Sequence, residues 1–132
     1  MKIAFATSDG KKIDEHFGRA GKFVVYEMSP GGFRYLETRT FADGVDTAVT
    51  STRDGGQAHE DAVQAKVERL SDCRLIYLTE IGGPSAARLV RKGIMPMKVQ
   101  ESGPIDKELD RLSTLIRTSP PPWLKKAIKE NM

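Results

Sequence analysis

Apolar positions along this chain follow two different periods. In the first third they come as short runs broken by turn residues: "KIAFAT" (2–7), closed by Ser8-Asp9-Gly10, then "KFVVYEM" (22–28) and "FRYLETRTF" (33–41). Such runs read as strands, and Ser29-Pro30-Gly31-Gly32 between the last two predicts a hairpin. Residues 42–54 are polar, without a period, and read as a loop. The spacing then becomes helical. Asp54 stands as an N-cap with Gln57 three residues on, the capping-box separation. Ala58, Ala62, Val63, Val67 and Leu70 fall on one helical face. "CRLIYLT" (73–79) is continuously apolar, the pattern of a strand covered on both sides. A second helix opens with Pro84 and stops at Gly93. "IMPMKV" (94–99) is a short strand that Pro96 assigns to a sheet edge. A third helix runs from about Pro104 to Arg117, with Ile105, Leu109, Leu112 and Ile116 on one stripe.

The order β-β-β-α-β-α-β-α predicts an α/β fold with a mixed five-stranded sheet. Its first three strands form a meander, with strand 2 antiparallel to the rest. The later strands join through helices and run parallel to the first, and helices cover both faces. This is the three-layer ribonuclease H-like arrangement, with strand order 3-2-1-4-5. The α/β domain is expected over residues 1–117. Residues 118–132, "TSPPPWLKKAIKENM", read as a Pro-rich turn and a short C-terminal helix of the same domain. Trp123, Leu124, Ala127 and Ile128 share one face of that helix, which either packs back on the domain or docks a partner.

At 132 residues the chain has the size of one domain and can bury a core without staples. It contains no apolar run of roughly 18 residues, so no membrane span is expected. The opening "MKIAFATSDG" has too short an apolar stretch for a signal peptide, and a cytoplasmic protein is expected. The one cysteine, Cys73, cannot close an internal disulfide, nor supply by itself the several sulfurs of a zinc or iron–sulfur site. A net charge of +3 and a pI near 9.1 favour anionic partners. The cations are dispersed apart from Lys125, Lys126 and Lys129, and no Arg/aromatic block of a nucleic-acid module is present.

Strand directions gather the chemistry on one edge. Strand 1 ends at Thr7-Ser8-Asp9, strand 4 at Thr79-Glu80, and the crevice at the carboxyl ends of such neighbours is the usual ligand site of α/β sheets. The loop "IDEHFGRAGKF" (13–23) leaves from that edge and carries His16, with Phe17 to anchor it, Gly18 at the turn and Arg19 as a cation. Gly82-Gly83-Pro84 opens a helix there, a position suited to anions and to close approach of a large ligand. His59, the second histidine, falls in the first turns of helix 1 beside Glu60 and Asp61. Imidazole is a common metal ligand, yet by residue type alone His16 reads first as a loop histidine bonded to backbone, His59 still more as a solvent-facing residue, and the Gly-Gly-Pro turn at least equally as a tight β-to-α connection. Cys73 begins strand 4 and is expected at the opposite edge in a structural role. Met95 and Met97 read as core filler. A rival reading takes Asp9, Glu80 and Asp54 as the carboxylates of a metal-dependent nuclease or phosphoryl-transfer enzyme. The interiors of "KIAFAT" and "CRLIYL" carry no acid to support it.

Together "KIAFATSD", "IDEHFGRAGKFVVYEM", "LSDCRLIYLTEIGGPSAARLVRKGIMPMKV" and "PPPWLKKAI" resemble the nitrogenase accessory factors of the NifX/NafY type, with the NifX members nearest. The resemblance spans nearly the whole chain. It implies a non-enzymatic cytoplasmic carrier in nitrogen fixation that binds the iron–molybdenum cofactor or its iron–sulfur precursor and passes it on. The implied partners are cofactor assembly proteins and apo-dinitrogenase, with no nucleic acid and no membrane; a monomer is expected. The resemblance makes His16 the candidate cluster ligand. Ser8, Phe17, Gly18, Arg19, Gly82 and Gly83 would surround the cargo, and His59 would stand in reserve. Some relatives carry a Gly-Ile-His-Pro pattern where this chain has Gly93-Ile94-Met95-Pro96, so a second imidazole is replaced by the thioether of Met95.

Overall fold

The computed structural model describes residues 1–29, 31–41, 63–100 and 103–130. The sheet is built around β1 (Lys2–Ala6). On one side β1 pairs antiparallel with β3 (Lys22–Ser29), Lys2 opposite Glu27 and Ala6 opposite Phe23. β3 turns back into β4 (Gly32–Thr40). On its other side β1 pairs in parallel with β5 (Leu75–Leu78), which pairs in parallel with β6 (Met95–Lys98). The strands lie in the order β4-β3-β1-β5-β6. The mixed five-stranded sheet of an α/β protein is therefore present, with Pro96 on an edge strand where its missing N–H costs no ladder bond.

Side-chain alternation on the central strands makes two cores. Ala4 and Ala6 of β1, with Ile76 and Leu78 of β5, face one layer. It holds Val63 and Val67 of α1, whose described part is residues 63–69, and Leu89 of α2 (Gly83–Arg91). Ile3 and Phe5, with Leu75 and Tyr77, face the other. There Ile105, Leu109 and Leu112 of α3 (Ile105–Thr118) meet Leu124 of α4 (Pro122–Glu130). Coverage on both faces is why β1 beyond Lys2 and the whole of β5 are apolar, whereas the outer β4 is mostly exposed. Leu124 is fully buried and Trp123 packs against the same cluster, so the C-terminal helix lies back on the domain.

The ends of the elements follow from local chemistry. Pro84 occupies the first turn of α2, and Gly93 after its last residues has φ +81°, a conformation that suits glycine. Two expectations need correcting. The strand assigned to 73–79 spans Leu75–Leu78, because the Cys73 N–H donates to the Leu70 carbonyl (3.0 Å) and closes the turn after α1. Residues read wholly as loop also contain β2 (Lys12–Ile13), which forms a two-stranded ribbon with β7 (Gly103–Pro104). Two residues per strand are too few to give an alternation that a sequence could show. The expected 42–54 loop, the Asp54–Gln57 cap, Ala58 and Ala62 lie outside the described residues.

Arg39 of β4 forks onto Asp72 (2.6 and 2.7 Å) and donates to the Arg69 carbonyl (2.9 Å). Lys2 reaches the same carboxylate at 3.1 Å. These contacts tie outer strand β4 to the turn after α1 and hold the Asp72 carboxyl well below the usual carboxylate range, Arg39 being the main cause. Beside it Cys73 is completely buried, and burial above all pushes its thiol up to about 12.

Two outcomes follow. Leu124→Ala should lower the free energy of unfolding in urea by about 2 to 5 kcal/mol, the ordinary cost of emptying a leucine site; no loss would mean that α4 contributes nothing to the core. Asp72→Asn should be less stable than the parent at pH 7. A depressed carboxyl gives stability that is present above its unfolded value, about 3.9, and is lost as pH falls through the folded one. The gap between variant and parent, measured by denaturant titration, should therefore close in acid below about pH 4.

Candidate functional site

Beyond the last residue of β1 the chain makes a tight turn. Asp9 accepts hydrogen bonds from the N–H groups of Lys11 (2.8 Å) and Lys12 (3.0 Å) and is joined to the Thr7 hydroxyl (3.2 Å). These bonds hold its carboxyl below the ordinary value. After β2 the chain returns to the sheet. Asp14 donates its N–H to the Ala6 carbonyl (3.3 Å), and its carboxylate accepts from the N–H (2.8 Å) and hydroxyl of Ser8.

The next residues continue the sheet. The Thr79 N–H donates to the Glu15 carbonyl (3.0 Å), the Phe17 N–H donates to the Glu80 carbonyl (2.9 Å), and His16 stands opposite Glu80 as a parallel bridge. The loop thereby extends the carboxyl end of β5. Phe17 is fully buried against Phe23, their rings 6.1 Å apart, and Ala20 is buried next to it. The N–H groups of Arg19 (3.2 Å) and Ala20 (2.9 Å) both donate to the His16 carbonyl, closing a turn that leaves the side chains of His16 and Arg19 in solvent.

Sequence reasoning missed what lies underneath. Lys66 of α1 is only 5% exposed, and its ammonium donates to the carbonyls of Phe17 (3.0 Å), Gly18 (3.3 Å) and Ala20 (3.1 Å). The same ammonium lies over the rings of Phe17, Phe23 and Phe41 at 5.5 to 5.9 Å. Buried amide oxygens need a donor and a buried cation needs acceptors and π faces, so each side satisfies the other. The signal was present: position 66 is three residues after Val63 and four before Leu70, on the apolar stripe where a lysine is out of place.

On the other side of His16, Glu80 forms an ion pair with Lys98 at 3.1 Å. Lys98 chiefly, with the Ile81 N–H and the nearby His16, holds its carboxyl below the usual value. Two residues further on, Gly82 caps α2 without any side-chain hydrogen bond. Gly18, Gly82 and Gly83 do not have positive φ, and among the described residues a Cβ on any of them would meet nothing within 4 Å. Neither backbone conformation nor packing by the described residues asks for glycine there.

The expected residues are thus brought together in two groups. His16 lies beside Glu80, just before Gly82 and Gly83. Ser8 and Arg19 share a shallow pocket of about 310 Å³ with Thr7, Glu15, Gly21 and Lys22. The Ser8 hydroxyl is already engaged by Asp14. His59 and Asp54 lie outside the described residues. Met95 is not near His16. It stands opposite Leu75 at the amino end of β5, while His16 stands opposite Glu80, five residues on and roughly 17 Å away at the usual strand rise. Cys73 lies at that same far end. Among the described residues no three His, Cys, Asp or Glu side chains are grouped to hold a metal ion. The nuclease reading is not supported, since Asp9 is spent on its own turn and Glu80 on Lys98.

The family described as "Dinitrogenase iron-molybdenum cofactor" matches residues 1–115. The chain is 38% identical over 130 residues to Protein NifX of Sinorhizobium fredii, covering 98% of itself and 79% of that protein. To Protein NifX of Herbaspirillum seropedicae it is 36% identical, covering 98% and 83%. Among solved structures, PH0822 superposes with a TM-score of 0.62 at 16% identity, over 86% of this chain and 91% of that one, and shares the α/β fold.

Lys66→Met keeps the bulk of the side chain and removes the donor from three carbonyls. It should cost about 1 to 3 kcal/mol in urea unfolding and speed amide hydrogen exchange at Phe17 and Ala20 relative to β1. Unchanged exchange in the loop would show that Lys66 does not hold it.

Proposed function

Because the chain belongs to the dinitrogenase iron-molybdenum cofactor family, we propose that it is a carrier in nitrogenase cofactor biosynthesis, without enzymatic activity. It binds the iron–molybdenum cofactor or its iron–sulfur precursor as cargo and passes it to assembly partners or to apo-dinitrogenase. His16 supplies the main bond from protein to cluster. What supports this reading most is the mounting of that residue: an exposed imidazole on a turn whose backbone is pinned to β5 and to Lys66, beside glycines that the fold itself does not require.

Arg19 and the free N–H groups at the start of α2 would complement an anionic cargo, with Gly18, Gly82 and Gly83 letting its bulk approach the backbone. Phe17 positions the loop, and Ser8 acts through its bond to Asp14. A single exposed imidazole suits a protein that must release what it holds, since a closed cage of thiolates does not let go readily. Cys73, buried and protonated at the far end, takes no part. The same reading assigns the sheet to the ribonuclease H-like arrangement, supported by its order of strands, and takes the protein as a cytoplasmic monomer.

Anaerobic titration with isolated cofactor and with precursor, read by visible absorbance and electron paramagnetic resonance, tests the assignment. His16→Ala should weaken binding at least tenfold while circular dichroism stays unchanged, and Cys73→Ser should bind as the parent does. Full affinity in His16→Ala with loss in His59→Ala would move the site to the first helix. Full affinity in both would refute a histidine-held cluster.

A further inference from the structure

The opposite face of the sheet carries a larger recess of about 720 Å³, which runs from the carboxyl ends of β5 and β6 to the first turns of α3. Its walls include Tyr77, Met97, Lys98, Lys107, Glu108 and Arg111. The volume is that of a small-molecule site. Among its described lining residues three cations stand against one carboxylate. Arg111 reaches Glu108 at 3.2 Å and Lys98 reaches out of the recess to Glu80, while Lys107 has no ion pair among the described residues.

Tyr77 makes this more than a basic surface. Its ring is buried and stacks on Phe5 at 5.0 Å and 20°, and its hydroxyl has no hydrogen-bond partner among the described residues. No buried side-chain polar atom among the described residues is left unpaired, so the hydroxyl itself meets solvent at the floor of the recess, where a ligand can reach it. Burial, aided by the charge of Glu108, pushes its ionisation well above the ordinary value, so it remains an O–H donor. The floor thus presents an unused donor, and the rim presents cations.

We propose that this recess binds a small organic or inorganic polyanion through the Tyr77 hydroxyl, Lys107 and Arg111. Carboxylate and phosphate groups both fit a guanidinium fork with a neutral donor beside it. The site is separate from the His16 loop, since Phe17 packs in the other core layer. Lys98 links the two, lining the recess while paired to the Glu80 that faces His16.

Isothermal titration of the protein without cargo, using citrate and pyrophosphate as separate probes at low ionic strength, tests the proposal independently of cluster binding. One or both should bind with one-to-one stoichiometry, and the preferred probe tells carboxylate from phosphate. Tyr77→Phe, which keeps the stacked ring, should weaken the preferred probe by about three- to tenfold, the range of one hydrogen bond. Lys107→Ala should weaken it by a similar factor and His16→Ala should leave it unchanged. Binding of neither probe at millimolar concentration would overturn the proposal. So would binding that is indifferent to Tyr77→Phe, which would mark it as diffuse attraction to surface charge.

Discussion

Everything in this fold is arranged around the enclosure of β1. Five residues long, it has β3 and β5 at its edges and a helical layer over each face. A strand so placed has no route to water, so its amides must find their partners in the neighbouring strands. The two central strands, β1 and β5, open to solvent where they stop. Parallel alignment makes them stop on the same side, and two connections that diverge there leave a gap between them. Position of the candidate site is thus a consequence of sheet direction before any particular side chain is considered.

The loop that fills part of this gap is held by an unusual trade. Burying the Lys66 ammonium would be costly by itself, and so would turning three carbonyls of the loop inward. Made together, with three aromatic rings around the charge, the two costs offset one another. The arrangement also couples folding to site formation. A chain in which α1 has not docked against β1 has no donor for the loop, and a loop without its turn gives the ammonium nowhere to go.

Much of the architecture was legible because its signals are long and redundant. Continuous apolar runs marked β1 and β5, Gly93 marked the end of α2, and the spacing of Ile105, Leu109 and Leu112 marked α3. What escaped was short or non-local. Ribbon β2–β7 joins residues some ninety positions apart through two pairs, and nothing local announces it. Placement of His16 beside Glu80 is a backbone pairing that no motif encodes. Lys66 could have been noticed as a charge on an apolar stripe, but its acceptors come from another part of the chain. Tyr77 read simply as one more apolar residue, because an unused hydroxyl becomes visible only when its surroundings are known.

The bonds that shape the loop are made by its main-chain atoms and the Lys66 ammonium, with Phe17 and Ala20 buried beneath it. The exposed side chains at 16 and 19 contribute nothing to its outline, and Gly18 is not demanded by it. Form and chemistry are therefore separable here, as in a tool holder with an exchangeable bit. The same turn could present a thiol, a carboxylate or an amine instead of an imidazole without relearning how to fold. A small α/β domain of this build is open to new ligands by single substitutions, each judged by what it binds rather than by what it destabilises.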